Sequence, residues 1–213
     1  MKPEIPGTRV IRYAEAPLPT RRGDVRLVVY REQVDGRTNQ DKEHVAVIIG
    51  QPERKAASVL VRAHSECLTS EVFGSMKCDC REQLDSALDR MIEEKEGVLL
   101  YLRQEGRGIG LGNKIRAYKL QSEGADTIEA NHQLGFETDY RTYDIAAGML
   151  HDLGIERVRL LTNNPDKVQG MVSFGIEVER RESIEIAPNE HSEGYLQTKK
   201  QMGHFLGRLL DAE

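Results

Sequence analysis

The pattern of hydrophobic and polar positions is strand-rich in the first part of the chain and then alternates between helical and strand segments. Val10 to Glu15 and Val25 to Glu32 read as strands on either side of Pro17-Leu18-Pro19-Thr20-Arg21-Arg22-Gly23-Asp24, a turn-rich connection. A polar loop is expected over residues 35–42, then strands at His44 to Ile49 and Ser58 to Ala63. From about Glu82 the period changes. Leu84, Ala87, Leu88, Met91 and Ile92 recur at helical spacing, with Gly97 as the expected C-terminal cap. Val98 to Gln104 has the pattern of a buried strand, and Ile115, Ala117, Tyr118 and Leu120 predict a helix ending near Gly124. Thr142 is a candidate N-cap for a helix through Leu153, stopped by Gly154. Arg157 to Leu161 predicts a strand, and Asn164-Pro165 opens a helix as cap and first-turn proline. Ile176 to Arg180 predicts a last strand and Tyr195 to Leu210 a closing helix. No repeat or interdomain linker is visible. The pattern predicts one α/β domain over residues 1–213, a mixed sheet flanked by helices with a β-rich N-terminal half.

Composition narrows the class. Charged residues make up 31% and hydrophobic ones 38% of 213 positions, enough for a substantial core. The formal net charge of −5 gives no general attraction for nucleic acid or an anionic membrane, so neither partner is expected. A polyanion would need a local basic pocket. The start of the chain, Met1-Lys2-Pro3-Glu4-Ile5-Pro6, lacks the apolar core of a signal peptide, and runs such as Val98 to Leu102 are too short to span a bilayer. A reducing cytoplasm is the expected setting, where thiolates stay free for metal.

The densest candidate chemistry is the cysteine set. Cys67, Cys78 and Cys80 are the chain's only three cysteines. Three thiolates with one vacant position commonly hold a catalytic zinc, whereas a structural zinc usually takes four protein ligands. Two other readings stay open on spacing alone. His64 or a distant residue can complete a structural site, or the cysteines can be unmetallated, buried as small hydrophobes or joined as a strained Cys78–Cys80 disulfide.

A second cluster runs from Arg103 to Arg116, with glycines at 106, 108, 110 and 112 between a predicted strand and a predicted helix. Such a loop lets a ligand approach the backbone, and the helix start offers N–H groups to a phosphate. Arg107, Lys114 and Arg116 add positive charge. Neither the P-loop pattern nor Gly-x-Gly-x-x-Gly is satisfied, since positions 111 and 113 are Leu111 and Asn113. A flexible turn is the plainer alternative.

The strings that hold these residues also carry a resemblance. They are Arg62-Ala63-His64-Ser65-Glu66-Cys67-Leu68-Thr69, Lys77-Cys78-Asp79-Cys80, Arg103 through Leu111, Asn113-Lys114-Ile115-Arg116-Ala117-Tyr118, Ala130 through Phe136 and Leu161-Thr162-Asn163-Asn164-Pro165. In this order they closely resemble GTP cyclohydrolase II, which opens the imidazole ring of GTP at the start of riboflavin biosynthesis. The likeness runs from about Val10 onward.

The resemblance implies that Cys67, Cys78 and Cys80 hold one Zn2+ per subunit, with water in the open position. Its pKa would fall to about 7. Attack at C8 of guanine opens the ring, a second hydrolysis releases formate, and pyrophosphate is also removed. Asp139 is implied as proton acceptor and Arg141 as nucleophile on the α-phosphate. A guanidinium keeps its proton and has no free lone pair, so clamping phosphate charge suits Arg141 better. Tyr118 is implied beside the reacting ring, at the second hydrolysis. Arg62, Ala63, His64, Ser65, Glu66, Gln83, Glu105, Gly106, Arg107, Thr127, Thr162 and Lys167 are implied substrate contacts, with Glu105 suited to guanine's N1–H and amino group. Mg2+ would ride on the triphosphate, and a homodimer is implied. Two alternatives accompany this: a variant stopping at the formamide, and a non-catalytic zinc-containing guanine-nucleotide sensor. His64, His132 and His191 have no implied chemistry and read as hydrogen-bonded structural residues. One departure is Arg81, where the family frequently has glycine.

Overall fold

Two long hairpins open the fold. In the computed structural model, which describes residues 8–34, 37–54, 57–125, 127–137 and 139–207, β1 (Thr8–Thr20), β2 (Gly23–Val34) and β3 (Arg37–Ile49) run antiparallel. β1 continues through Pro17 and Pro19, where the pattern predicts a turn. It is an edge strand, and an edge tolerates residues without an N–H to donate. The turn itself is the pair Arg21-Arg22, closed where Thr20 faces Gly23. Residues 37–42, expected as loop, form the first half of β3. The register slips between Arg31 and Glu32, and pairing resumes opposite Asn39. Antiparallel pairing needs only backbone groups, and a solvated face accepts polar side chains.

β4 (Val59–Ser65), β5 (Gly97–Leu102), β6 (Arg157–Leu161) and β7 (Glu177–Glu182) complete a seven-stranded sheet of order β1-β2-β3-β5-β4-β6-β7. β5 lies antiparallel to β3, while β6 is parallel to β4 and to β7. The helices are α1 (Leu68–Glu71), α2 (Cys80–Glu93), α3 (Gly110–Ser122), α4 (Thr127–Gln133), α5 (Asp144–Asp152), α6 (Pro165–Ser173) and α7 (Glu193–Gln201). The protein is thus mixed α/β with its hairpins gathered in the first part of the chain.

Period two sorts the strand residues into two cores. Val59, Val61, Val98, Leu100, Val158 and Leu160 face α5 and Met171 of α6, whereas Leu60, Leu99 and Leu161 face Ala87 and Met91 of α2. Each fully buried aliphatic side chain contributes about 1.5–3 kcal/mol. Tyr30, fully buried, satisfies its hydroxyl by donating to Asp152 Oδ2 at 2.7 Å.

Helix ends depart from the sequence expectation at three places. α2 stops at Glu93, and Gly97 instead starts β5, where glycine leaves room for Met91: a Cβ there would stand 2.4 Å from Met91 Cγ. α5 is capped by Tyr143, one residue past Thr142. α7 ends at Gln201 rather than running to 210, with Met202 as its C-cap and Gly203 at φ 84°; residues 208–210 of the expected helix lie outside the described residues. The Asn164-Pro165 signal is realised, since Asn164 Oδ1 accepts from Asp166 N at 2.8 Å.

The chain divides into two compact units. The first holds the sheet and comprises Met1–His64, Leu84–Arg103 and Thr142–Ile184; the second comprises Ser65–Gln83, Gln104–Arg141 and Glu185–Glu213. Among the described residues, no helix is long and apolar enough to cross a membrane.

Candidate metal centre

The second unit gathers the three cysteines from two short segments. Cys67 caps the four-residue α1, and Cys78 and Cys80 straddle the entry to α2. Their sulfur atoms all lie within 4.8 Å of one another, with Cys67 and Cys78 at 3.7 Å. Tetrahedral coordination with metal–sulfur bonds of about 2.3 Å sets sulfurs about 3.8 Å apart, so this trio can hold a metal ion. The donors are soft and monoanionic, which suits zinc rather than magnesium. Cys67 and Cys78 are buried and Cys80 is half-buried.

Charge around the sulfurs is arranged to favour a thiolate. Hydrogen bonds from Cys78 and Cys80, and the Lys114 ammonium, hold the Cys67 thiol far below its ordinary pKa against the opposing effect of burial. Cys78 and Cys80 are pushed up, first by their bonds to Cys67. Lys114 Nζ lies 3.0 Å from Cys67 Sγ and 2.7 Å from Glu105 Oε1. Burial works against its charge, but the bond to Glu105 and the nearby thiolate outweigh it and raise its pKa. Glu105 also accepts from Leu68 N and Gly106 N, both at 2.8 Å. Three donors thus converge on this carboxylate from the segments that carry Cys67 and α3.

The sulfurs open into a cavity of about 320 Å³ in the same unit, within the size range of small-molecule sites. Tyr118, Arg107 and Arg141 share its wall. The glycine loop works mainly by close approach. Gly106 and Arg107 both adopt left-handed backbone, at φ 62° and 58°. Gly108 sits where a Cβ would come 2.9 Å from Tyr140 Cβ, and Tyr140 N donates to Arg107 O at 3.0 Å. This packing brings the 139–141 segment beside Arg107. Asp139 and Arg141 are joined there, with Arg141 Nε donating to both carboxylate oxygens at 2.9 and 3.1 Å. Burial alone would raise the Asp139 pKa, but the guanidinium brings it below its ordinary value.

A sequence model of the family described as GTP cyclohydrolase II matches residues 11–183. The chain belongs to the GTP cyclohydrolase II family. A riboflavin biosynthesis protein RibBA of Bacillus velezensis is 50% identical over 200 residues, covering 93% of this chain and 49% of that protein. The protein of the same name from Endomicrobium trichonymphae is 47% identical over 193 residues, covering 90% and 46%. The chain thus spans about half the length of the curated relatives it matches. A solved structure of RibBX, a two-domain 3,4-dihydroxy-2-butanone 4-phosphate synthase from A. baumannii, aligns with 83% of this chain and 41% of that one, at 20% identity and a TM-score of 0.47.

For a GTP cyclohydrolase II chain, the implied contact residues fall in both units. Ser65, Glu66, Glu105, Gly106 and Arg107 line the cavity of the second unit with Tyr118 and Arg141. Gln83 belongs to that unit too and donates to Asp79 Oδ2 at 2.6 Å. Arg62, Ala63, His64, Thr162 and Lys167 belong to the first unit. There Arg62 donates to Leu161 O at 3.0 Å, Lys167 Nζ donates to Ala63 O at 2.7 Å, and Thr162 Oγ1 accepts from Asn164 N. Thr127 begins α4, and its side chain lies outside the described residues.

The histidines separate. His64 is buried and stacks on Tyr101, whereas His132 is exposed on α4. His191 is exposed on the cavity wall just before α7, with its Nε2 3.3 Å from Glu190 Oε1. Arg81 is exposed, and its backbone N donates to Ser70 Oγ at 3.2 Å. Sequence reasoning gave Lys114 only a general positive charge and assigned nothing to Asp79, Tyr195 or Lys199. For the last two a signal existed, because positions 195, 198 and 199 share one helical face.

Proposed function

We propose that this chain is a zinc-dependent GTP cyclohydrolase II, acting in the first step of riboflavin biosynthesis. The reaction consumes three waters and converts GTP into formate, pyrophosphate and 2,5-diamino-6-(5-phosphoribosylamino)pyrimidin-4(3H)-one. One observation carries the reading: a three-cysteine cluster opening into a cavity whose wall also offers Tyr118, Arg107 and Arg141. The family match and the riboflavin biosynthesis names of relatives at about half identity support it.

Cys67, Cys78 and Cys80 would hold zinc, and Lys114 balances one of the three negative charges. When bound there, zinc supplies Lewis acidity, the property that makes water a nucleophile near neutral pH. Tyr118 keeps its proton, since burial raises its pKa, and so can donate to the ring nitrogen or formamide as bonds break. Arg107 and Arg141 stabilise phosphate charge, which a fixed guanidinium does well. Asp139 as base requires its bond to Arg141 to loosen when a phosphate competes for the guanidinium. Glu105 is largely committed to Leu68, Gly106 and Lys114, which leaves room for about one further donor from guanine. Arg62, Ala63, His64, Ser65, Glu66, Gln83, Gly106, Thr127, Thr162 and Lys167 complete the substrate contacts in this reading. Magnesium on the triphosphate, a homodimer, a cytoplasmic setting and one catalytic domain over 1–213 belong to it as well.

Incubation of zinc-loaded protein with GTP tests this directly. Formate, pyrophosphate and a pyrimidine absorbance band are expected, with a product mass lacking the formyl group. A retained formyl group would make the chain a formamide-forming variant, and tight GTP binding without turnover would make it a sensor.

A further inference from the structure

The segment after Ile184 lies beyond the stretch that the family model matches, yet it builds part of the cavity. Tyr195 and Thr198 of α7 line the wall, with His191 just before the helix. Lys199, next on the same face, turns from the cavity toward the metal-ligand loop. Its Nζ donates to Asp79 Oδ1 at 2.7 Å, and Asp79 is the residue between Cys78 and Cys80. Both charges are buried, with side chains 10% and 2% exposed. Past the helix end, Arg107 Nη1 approaches Met202 Sδ at 3.4 Å.

A buried pair contributes little net stability, but removing one partner leaves an uncompensated buried charge. Such a contact therefore fixes where an element sits. We propose that Lys199 is a positioning residue: by pairing with Asp79 it holds α7 as a wall against the nucleoside part of the substrate. Tyr195 offers a ring and a hydroxyl and Thr198 a hydroxyl, which suit a purine nucleoside, whereas the cations Arg107 and Arg141 suit its phosphates. The substrate half of this inference rests on the GTP reading above.

The test uses the full zinc-loaded chain and two independent readouts. Lys199→Met should speed amide exchange across residues 193–201 by about 10-fold or more while α3 keeps its protection. It should also raise KM for GTP by about 10-fold, with kcat within about 3-fold and zinc stoichiometry unchanged. Lys199→Arg, which keeps the charge, should restore both. Unchanged exchange in α7, faster exchange with unchanged KM, or loss of zinc with α7 still protected would each overturn the proposal. Should Lys199→Met fail to fold, Tyr195→Ala decides instead, since Tyr195 lines the cavity and carries neither charge of the pair, although its ring lies 4.5 Å from the Lys199 ammonium: a raised KM supports the wall and an unchanged one overturns it. If the wild-type chain turns over no GTP, the GTP reading fails, and the exchange measurement alone decides whether Lys199 positions α7.

Discussion

Lys114 shows how much one side chain can be asked to do. Its ammonium joins Glu105, which in turn ties Leu68 N and Gly106 N, and it faces the sulfur of Cys67. Lys114→Met therefore removes a buried partner from a carboxylate and from a thiolate at once. We expect a loss of about 3 kcal/mol in urea unfolding, toward the lower end for a broken buried pair because the backbone donors to Glu105 remain. Zinc affinity should fall by roughly 10-fold in a chelator competition, as for other groups that support a metal ligand. Glu105→Gln should recover part of the stability in the Lys114→Met background. At this scale the three cysteines were legible from their spacing, because a metal site needs few residues of restricted type. Lys114 was not, because a lysine in a basic glycine-rich loop reads equally well as a solvated charge.

Among the elements, the contact between α2 and β5 rests on an absent side chain. A Cβ at Gly97 would overlap Met91 Cγ and Cβ, at 2.4 and 2.9 Å. Gly97→Ala should cost about 1–3 kcal/mol as overpacking. Its cost should shrink in part in a Met91→Ala background, since the double change removes the closest overlap, with Cγ, and leaves only the 2.9 Å approach to Cβ; a thermal-melt double-mutant cycle reads this coupling. The sequence pattern placed Gly97 as a helix cap, because glycine after a helical run usually is one, and nothing local reveals a methionine six residues back. The strands fared in a similar way. Those with both faces covered, such as Val98 to Leu102, announce themselves by apolar runs, whereas residues 37–42 of β3 and the proline-bearing half of β1 do not. Their pairing is backbone to backbone, on solvated or edge positions, where side-chain pattern carries little information.

Over the whole molecule, the sheet-bearing unit owes its stability to two apolar cores, while the second unit is organised around cysteines, ion pairs and short helices. Metal removal should therefore act unevenly. After chelation, amides of α1, α3 and α7 should lose protection, while those of β5 and β6 exchange as before; uniform loss across both units would contradict this division. No unit boundary was legible in the sequence, because each unit is assembled from three separate stretches and no linker composition marks the crossings. That interleaving has a consequence for synthesis. Cys80 leaves the ribosome about 120 residues ahead of Lys199, roughly 6–24 s at bacterial or eukaryotic elongation rates. For that interval the thiols are nascent and lack their helical cover, so a reducing milieu or prompt metal capture protects them during translation itself.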